Sequence, residues 1–507
     1  MGYAQVRAVG LVGLEGHVVT VEADVAEGLP GLILSGLPDA ALNEARDRVR
    51  AAIVNSGEDW PRRRITVNLL PAGLPKYGSA FDLAIAAVLL AGTGMLPLAG
   101  LEDAALIGEL GLDGRVRSVR GVLPMVLAAV RAGVGRVIVP SGNAAEATLV
   151  PGVTVRAADT LRRVIDFIRG SGPLPEAHSA AEPEQGDGLD LADVVGQERG
   201  RFALELAAAG RHHLAYFGAP GAGKTMLAQR LPTILPPLDD AAALEVTAVH
   251  SIAGALPAEA RLIRRPPFQA PHHTASAPAL VGGGSGLARP GALSLAHRGI
   301  LFLDEAPEFG PRVLNALRQP LEDGYVVLMR SHGSTRYPAQ IQLVLAANPC
   351  PCAQAGGEST CTCSPLVRRR YLARLSGPLM DRIDLQITLD PVRAAALLGA
   401  HDHDHETSAQ VLKRVIAARE TAAERWSGRG FRVNGDVPGH VLRQLPFRLS
   451  HATTHQLASR LDRGVLSARG YDRVLRVAWT IVDIDGRAVP TAEDIEEAYQ
   501  LRTGEVT

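Results

Sequence analysis

One octet, Gly218-Ala219-Pro220-Gly221-Ala222-Gly223-Lys224-Thr225, constrains this chain more than any other stretch, because it fits the spacing G-x-x-x-x-G-K-[ST]. It follows a β-type run, Leu214-Ala215-Tyr216-Phe217, and precedes a helical one from Met226 to Leu231. A strand, a glycine-rich turn and a helix in that order turn backbone N–H groups and the positive end of a helix toward an anion. In that reading Gly218 through Gly223 cradle phosphates, Lys224 reaches the β/γ-phosphates and Thr225 ligates Mg²⁺. ATP and Mg²⁺ are therefore the expected ligands, and a P-loop α/β core is the expected fold.

A second run, Ile300-Leu301-Phe302-Leu303-Asp304-Glu305, delivers two carboxylates at the end of an apolar strand. Asp304 can hold Mg²⁺, and Glu305 can orient and deprotonate a water, so hydrolysis as well as binding is expected. A third strand ends in Ala346-Ala347-Asn348-Pro349, which sets the Asn348 amide where a γ-phosphate sensor would stand. Asn-Pro alone marks a turn; its order after the first two motifs favours the functional role. Arg382, in Leu379-Met380-Asp381-Arg382-Ile383-Asp384, has the right chemistry to stabilise phosphoryl transfer, from a neighbouring subunit if the protein is an oligomer. Arg469 starts a later helix and has the chemistry to sense the nucleotide in cis, although either arginine taken singly reads first as a surface ion-pair residue.

At 507 residues the chain is too long for one core. Residues 1–170 alternate β-type runs with Ala/Leu-rich helical stretches, an α+β domain, and 171–190 read as a linker rich in glycine, proline and acidic residues. Residues 191–395 form the nucleotide-binding α/β block, and 396–507 are mainly helical, suited to a lid. Lys plus Arg number 52 against 53 Asp plus Glu, so any contact with DNA must be local. No export signal is visible, and the uncharged stretch Leu83 to Leu101 is broken by Gly92, Gly94, Pro97 and Gly100. A buried helix followed by a loop is expected there, with no membrane partner and a cytoplasmic location.

All four cysteines lie in Cys350-Pro351-Cys352 and Cys361-Thr362-Cys363, too clustered for a secreted disulfide framework. Four thiolates suit tetrahedral Zn²⁺, although C-x-C is tighter than the usual spacing; reduced, unliganded thiols are the alternative. Arg368-Arg369-Arg370 follows directly, as a phosphate-binding patch or a solvated face. The run His401-Asp402-His403-Asp404-His405 reads as a solvated loop before it reads as a metal site.

Taken with Phe268-Gln269-Ala270-Pro271-His272-His273-Thr274-Ala275-Ser276, Val281-Gly282-Gly283-Gly284, Leu295-Ala296-His297-Arg298-Gly299 and Ser376 to Asp384, these motifs resemble the YifB/ComM group of magnesium-chelatase-like AAA+ ATPases over nearly the whole chain. Asp193-Val194-Val195-Gly196-Gln197 is similar to that family's adenine-side entry. The resemblance implies a hexameric ring, Arg382 as arginine finger, Arg469 as second sensor, and an ATP-driven DNA helicase that promotes branch migration in recombination and natural transformation. His272, His273, Arg330 and Arg336 would touch DNA phosphates if their loops line the channel, or pack between subunits if they do not. The rival readings are a motor that drives metal insertion, as in magnesium chelatase, and a remodelling ATPase without a DNA partner. Ala292 stands where the family commonly has an acidic residue.

Residues 1–170 also resemble the proteolytic domain of Lon. Pro75-Lys76-Tyr77-Gly78-Ser79-Ala80 is similar to the stretch around Lon's serine, but Leu123 stands where the catalytic lysine would be. Without a base the serine is not a nucleophile, so a non-proteolytic scaffold is expected.

Overall fold

The computed structural model describes residues 2–36, 44–97, 99, 101–178, 188–257, 259–284, 288–330, 333–354, 361–391 and 405–504. Two sheets and a helical block organise them. The first sheet has seven strands in the order Gly31–Ser35, Arg64–Leu70, Glu15–Ala26, Gly2–Val12, Ala104–Leu106, Arg136–Pro140, Thr154–Ala158. Its centre is the long antiparallel pair Gly2–Val12 and Glu15–Ala26, with Val6 opposite Val21 and Ala8 opposite Val19. Side chains alternate across a strand, so this register gathers small apolar groups on one face. Against that face packs Asp82–Gly92, which holds the first half of the uncharged stretch and is buried on nearly every side between the sheet and the helix Ala45–Asn55. No helix among the described residues is long and apolar enough to cross a membrane.

The proposed linker is shorter than its composition suggests. Leu174 is buried, and N–H bonds from Ala157 to the Pro175 carbonyl (2.9 Å) and from Ala177 to the Val155 carbonyl (3.0 Å) lay this segment along the last strand of the sheet. A single apolar side chain and an open sheet edge suffice to order it, because the edge offers unpaired backbone groups. Residues 179–187, the acidic part of that linker, lie outside the described residues.

The second sheet is entirely parallel, in the order Phe268–Gln269, Ile300–Leu303, Gln342–Ala347, Leu214–Gly218, Leu385–Leu389. Its inner strands are covered on both faces, which is why they read as unbroken apolar runs. Gln342 is the buried exception; its amide donates to the carbonyls of Ala207 (2.8 Å) and His212 (2.9 Å) and so is satisfied. All five strands end on the same side, where a crevice for ligands opens.

The C-terminal helices Ser408–Trp426 and Ala468–Ile484 pack on the helix Glu198–Gly210, and Ala492–Thr503 packs along the edge strand Leu385–Leu389. Ser408 fixes their start: its hydroxyl accepts the Leu191 N–H (2.7 Å) and its own N–H donates to Asp190 (2.9 Å). Of the His/Asp run, residues 401–404 lie outside the described residues.

A shared core joins the first sheet to the nucleotide block. Val9, Leu11, Leu123 and Val126 pack with Ala248, Ile252, Ala288 and Tyr337. Burying side chains of this size contributes about 1.5–3 kcal/mol each. The buried Glu146 carboxylate crosses the same seam, accepting the Leu123 N–H (2.9 Å) on one side and the Ser251 hydroxyl on the other. The hairpin Tyr325–Arg330 with Gly333–Pro338 enters this seam at its base, where Tyr337 is fully buried and donates its hydroxyl to the Ala288 carbonyl.

Candidate functional site

The turn after Leu214–Gly218 requires glycine at two points, Gly221 (φ +80°) and Gly223 (φ +90°), both left-handed. Gly223 caps the helix Lys224–Arg230, whose first N–H groups therefore face the loop. Lys224 is buried, and its ammonium donates to the carbonyls of Gly218 (2.7 Å) and Ala219 (2.9 Å) and to Oδ1 of Asn348 (3.0 Å). Burial pulls its pKa below the ordinary lysine value, while the carboxylates of Asp304 and Glu305 push it back up.

The strand register explains these neighbours. Phe217 pairs with Ala347, which sets Asn348 beside Gly218 at the sheet's end. Leu303 pairs with Leu345, which brings Asp304 to the same rim. There Asp304 Oδ2 accepts the Thr225 hydroxyl (2.7 Å), and Asp304 Oδ1 accepts the Glu305 N–H (2.9 Å). Glu305 itself has a left-handed backbone (φ +49°), a conformation uncommon outside glycine, and its Oε2 lies 3.1 Å from His273 Nδ1. Lys224, Thr225, Asp304, Glu305 and Asn348 thus form one constellation. A buried ammonium suits phosphate oxygens, and an adjacent hydroxyl and carboxylate suit Mg²⁺.

Gln197, at the end of the entry segment Asp193 to Gln197, holds the cradle. Its side-chain amide donates to the Ala222 carbonyl (2.9 Å) and the Asp390 carbonyl (2.6 Å), bridging the phosphate loop to the end of strand Leu385–Leu389. Its left-handed backbone (φ +56°) aims the side chain there, and no sequence signal announces that conformation in a glutamine.

Arg382 and Arg469 stand together, apart from this constellation. Arg382 is buried and bonds Glu322 and the Pro378 carbonyl, while the exposed Arg469 lies 3.6 Å from the same Glu322 carboxylate. Arg469, expected on the nucleotide of its own subunit, accordingly keeps company with Arg382 rather than with Lys224. Asp384, two residues beyond Arg382, is buried on Arg473 (2.6 Å) and the His213 N–H (2.9 Å). It fixes that segment to the strand before the phosphate loop.

The loop residues divide. The His272 and His273 rings touch in a tilted pair with centroids 4.2 Å apart, next to Glu305. The Arg336 guanidinium lies 3.4 Å over the Tyr325 ring, a cation–π contact within the hairpin. Met329, near the hairpin tip, is exposed; the side chain of Arg330 and residues 331–332 lie outside the described residues. Ala292 opens a short helix, Ala292–Leu295.

In the first domain the Ser79 hydroxyl donates to the Glu109 carboxylate. Lys76 is fully buried, with its ammonium on the carbonyls of Leu69 (2.9 Å) and Pro71. Leu123 packs in the seam core. The four cysteines come together, with Sγ atoms all within 4.8 Å of one another.

Comparison with known proteins matches three consecutive regions to one protein's descriptions. Residues 21–143 match "Subunit ChlI of Mg-chelatase", 190–397 match "Magnesium chelatase, subunit ChlI", and 405–502 match "Magnesium chelatase, subunit ChlI C-terminal". The protein YifB of Escherichia coli (strain K12) is 40% identical over 508 residues, covering 99% of this chain and 97% of its own. Competence protein ComM of Haemophilus influenzae is 41% identical over 509 residues, covering 99% and 98%. The chain belongs to the YifB/ComM family of magnesium-chelatase-like proteins. An uncharacterized protein of Mycobacterium tuberculosis (strain ATCC 25618 / H37Rv) is 53% identical over 502 residues, 99% of each chain. A Lon protease of Mycolicibacterium smegmatis is 32% identical over 180 residues, 34% of this chain and 23% of its own. Membership makes this YifB/ComM chain an AAA+-type ATPase by class, with ATP and Mg²⁺ as its implied ligands and a Lon-like region beside the motor.

Proposed function

We propose that this protein hydrolyses ATP between the subunits of a homo-oligomeric ring, six-membered by family resemblance, and spends the cycle on single-stranded or branched DNA. The observation that carries the hydrolytic part is the convergence of Lys224 on Asn348 and of Thr225 on Asp304, with Glu305 beside them. Lys224 would take the β/γ-phosphate charge, Thr225 and Asp304 would hold Mg²⁺, and Asn348 would read the γ-phosphate through its amide. Mg²⁺, when bound, neutralises charge that develops on the transferred phosphoryl group. Glu305 would accept the proton of the attacking water.

The grouping of Arg382 with Arg469 on Glu322 supports a shared site, since neither arginine contributes to the constellation of its own chain. Arg382 would then complete the neighbour's site. The DNA part rests on the competence name of the ComM relative, on the loop that carries His273 to Glu305, and on the hairpin that exposes Met329. Branch migration in recombination or transformation is the reading that unites them, with a cytoplasmic location. A motor for metal insertion is the second reading, favoured by the chelatase names of the matching regions.

ATP turnover with and without single-stranded and four-way DNA, for the wild type, Lys224→Ala and Glu305→Gln, tests the proposal. Turnover that DNA stimulates and both variants abolish is expected. An assembled ring that no DNA binds or stimulates at low salt overturns the DNA reading; wild-type turnover surviving in Lys224→Ala overturns the hydrolytic one.

A further inference from the structure

The end of the sensor strand runs straight into the cysteine cluster. Asn348 is followed two residues later by Cys350, and Cys363 is followed two residues later by the helix Pro365–Leu372, whose N-cap Ser364 accepts the Val367 N–H. Cys350 and Cys352 have Sγ atoms 3.2 Å apart, Cys361 lies 3.3 Å from Cys350 and 3.6 Å from Cys352, and all four stand within 4.8 Å of one another. Four sulfurs at about 2.3 Å from one tetrahedral Zn²⁺ would lie about 3.8 Å apart. The cluster therefore has the size and the donor set of a closed structural zinc site, and all four thiols are free of disulfides.

Two surrounding features fit a metal thiolate rather than four idle thiols. The Cys363 N–H donates to Cys361 Sγ (3.4 Å). Such a contact is one that a charged thiolate needs. A divalent ion with four thiolates carries two net negative charges, and the next helix presents Arg368, Arg369 and Arg370.

The helix that follows reaches the catalytic rim from the other direction. Tyr371 is buried, and Arg374 donates to the Pro307 carbonyl (3.2 Å) and to Glu308 (3.1 Å) in the turn directly after Glu305. We propose that Cys350, Cys352, Cys361 and Cys363 bind one Zn²⁺, and that this site clips the Asn348 strand end to the Glu305 turn through the helix Pro365–Leu372. The metal is structural: all four positions are protein sulfurs, and none is left for water or substrate. Its role is to hold the γ-phosphate sensor and the hydrolytic carboxylate in one fixed relation.

The test uses the full-length chain, purified reduced and without chelator, with metal counted by atomic emission. One zinc per chain is expected in the wild type and less than a tenth of that in Cys350→Ser and in the double variant Cys361→Ser/Cys363→Ser. Exchange with Co²⁺ should give the thiolate charge-transfer and visible bands of a tetrahedral four-sulfur site. A reduced wild type that retains no more zinc than the variants after equimolar loading and desalting overturns the site, as does iron in its place. The clip is read separately, by hydrogen exchange of the wild type before and after zinc removal. Faster exchange around 305–308 and 347–350, reversed by added zinc, is expected; unchanged exchange there overturns the clip while leaving the metal count to stand. Both readouts are independent of ATP turnover.

Discussion

His273 Nδ1 stands 3.1 Å from Oε2 of Glu305, so the loop that follows strand Phe268–Gln269 touches the carboxylate expected to activate water. A hydrogen bond to one carboxylate oxygen fixes the direction in which the other faces a water. The pair is half-exposed, which limits its worth to about 1 kcal/mol, or about fivefold in rate. His273→Ala is expected to shift basal turnover by about that factor and to reduce the ratio of DNA-stimulated to basal turnover. His273→Asn, which keeps a donor, should restore the ratio. Steady-state rates with and without DNA decide it: an unchanged ratio in His273→Ala removes any link between this loop and Glu305.

Arg382 allows a mixing experiment. Arg382→Ala and Lys224→Ala subunits should each be inactive alone, the first by about a thousandfold if it supplies an arginine finger. In mixed rings some sites join an intact Lys224 to a neighbour's intact Arg382, so turnover returns. A mixture that stays as inactive as its parts would place Arg382 outside the shared site.

The seam between the domains offers a stability test. Ile252 is buried against residues of the first sheet, so Ile252→Ala leaves a cavity and is expected to cost about 2–4 kcal/mol. Because the loss falls on the interface, limited proteolysis should release the first domain from the nucleotide block faster while the block itself stays resistant. Equal cutting of the wild type and variant would show that the seam does not hold the domains together.

The parts of the site legible in the sequence were those fixed by short spacing along one element. Lys224 and Thr225 sit on one turn, Asp304 and Glu305 end one strand, and their burial pattern is written in runs of apolar residues. What the sequence did not disclose depends on pairings across the chain or on backbone conformation. Gln197 reaches Ala222 only because of a left-handed φ, and Glu322 joins Arg382 to Arg469 only through tertiary packing. Likewise Leu174 converts part of a polar stretch into an ordered edge. Composition averages over such single side chains, and packing does not.

His212 and His213 make the stability of the nucleotide block depend on pH. Burial pushes both imidazoles down to about 4, against the pull of the nearby Asp384 carboxylate. The geometry agrees: His213 Nδ1 accepts the Leu343 N–H (3.0 Å) and so carries no proton, and His212 Nε2 meets the Thr480 hydroxyl (2.7 Å) with no exposed surface. Arg473 and Arg476 face the same pocket and further disfavour a second positive charge. Between the ordinary histidine value and about 4, the unfolded chain binds more protons than the folded one, so stability rises with pH. It is fully present above about pH 6.5 and is lost as pH falls, at up to about 1.4 kcal/mol per pH unit for each histidine. Asp384 is also destabilised by burial as an anion, but Arg473 and the two histidines hold its pKa below the usual carboxylate range, so it adds a loss only at still lower pH. Thermal unfolding from about pH 7.5 to about pH 5 should show a falling midpoint. His212→Gln keeps a hydrogen-bonding side chain while removing one titration, and its midpoint should fall less steeply over the same range. A wild type and a variant with the same slope would mean that the His212 imidazole does not change its protonation on unfolding, and that the acid sensitivity lies elsewhere.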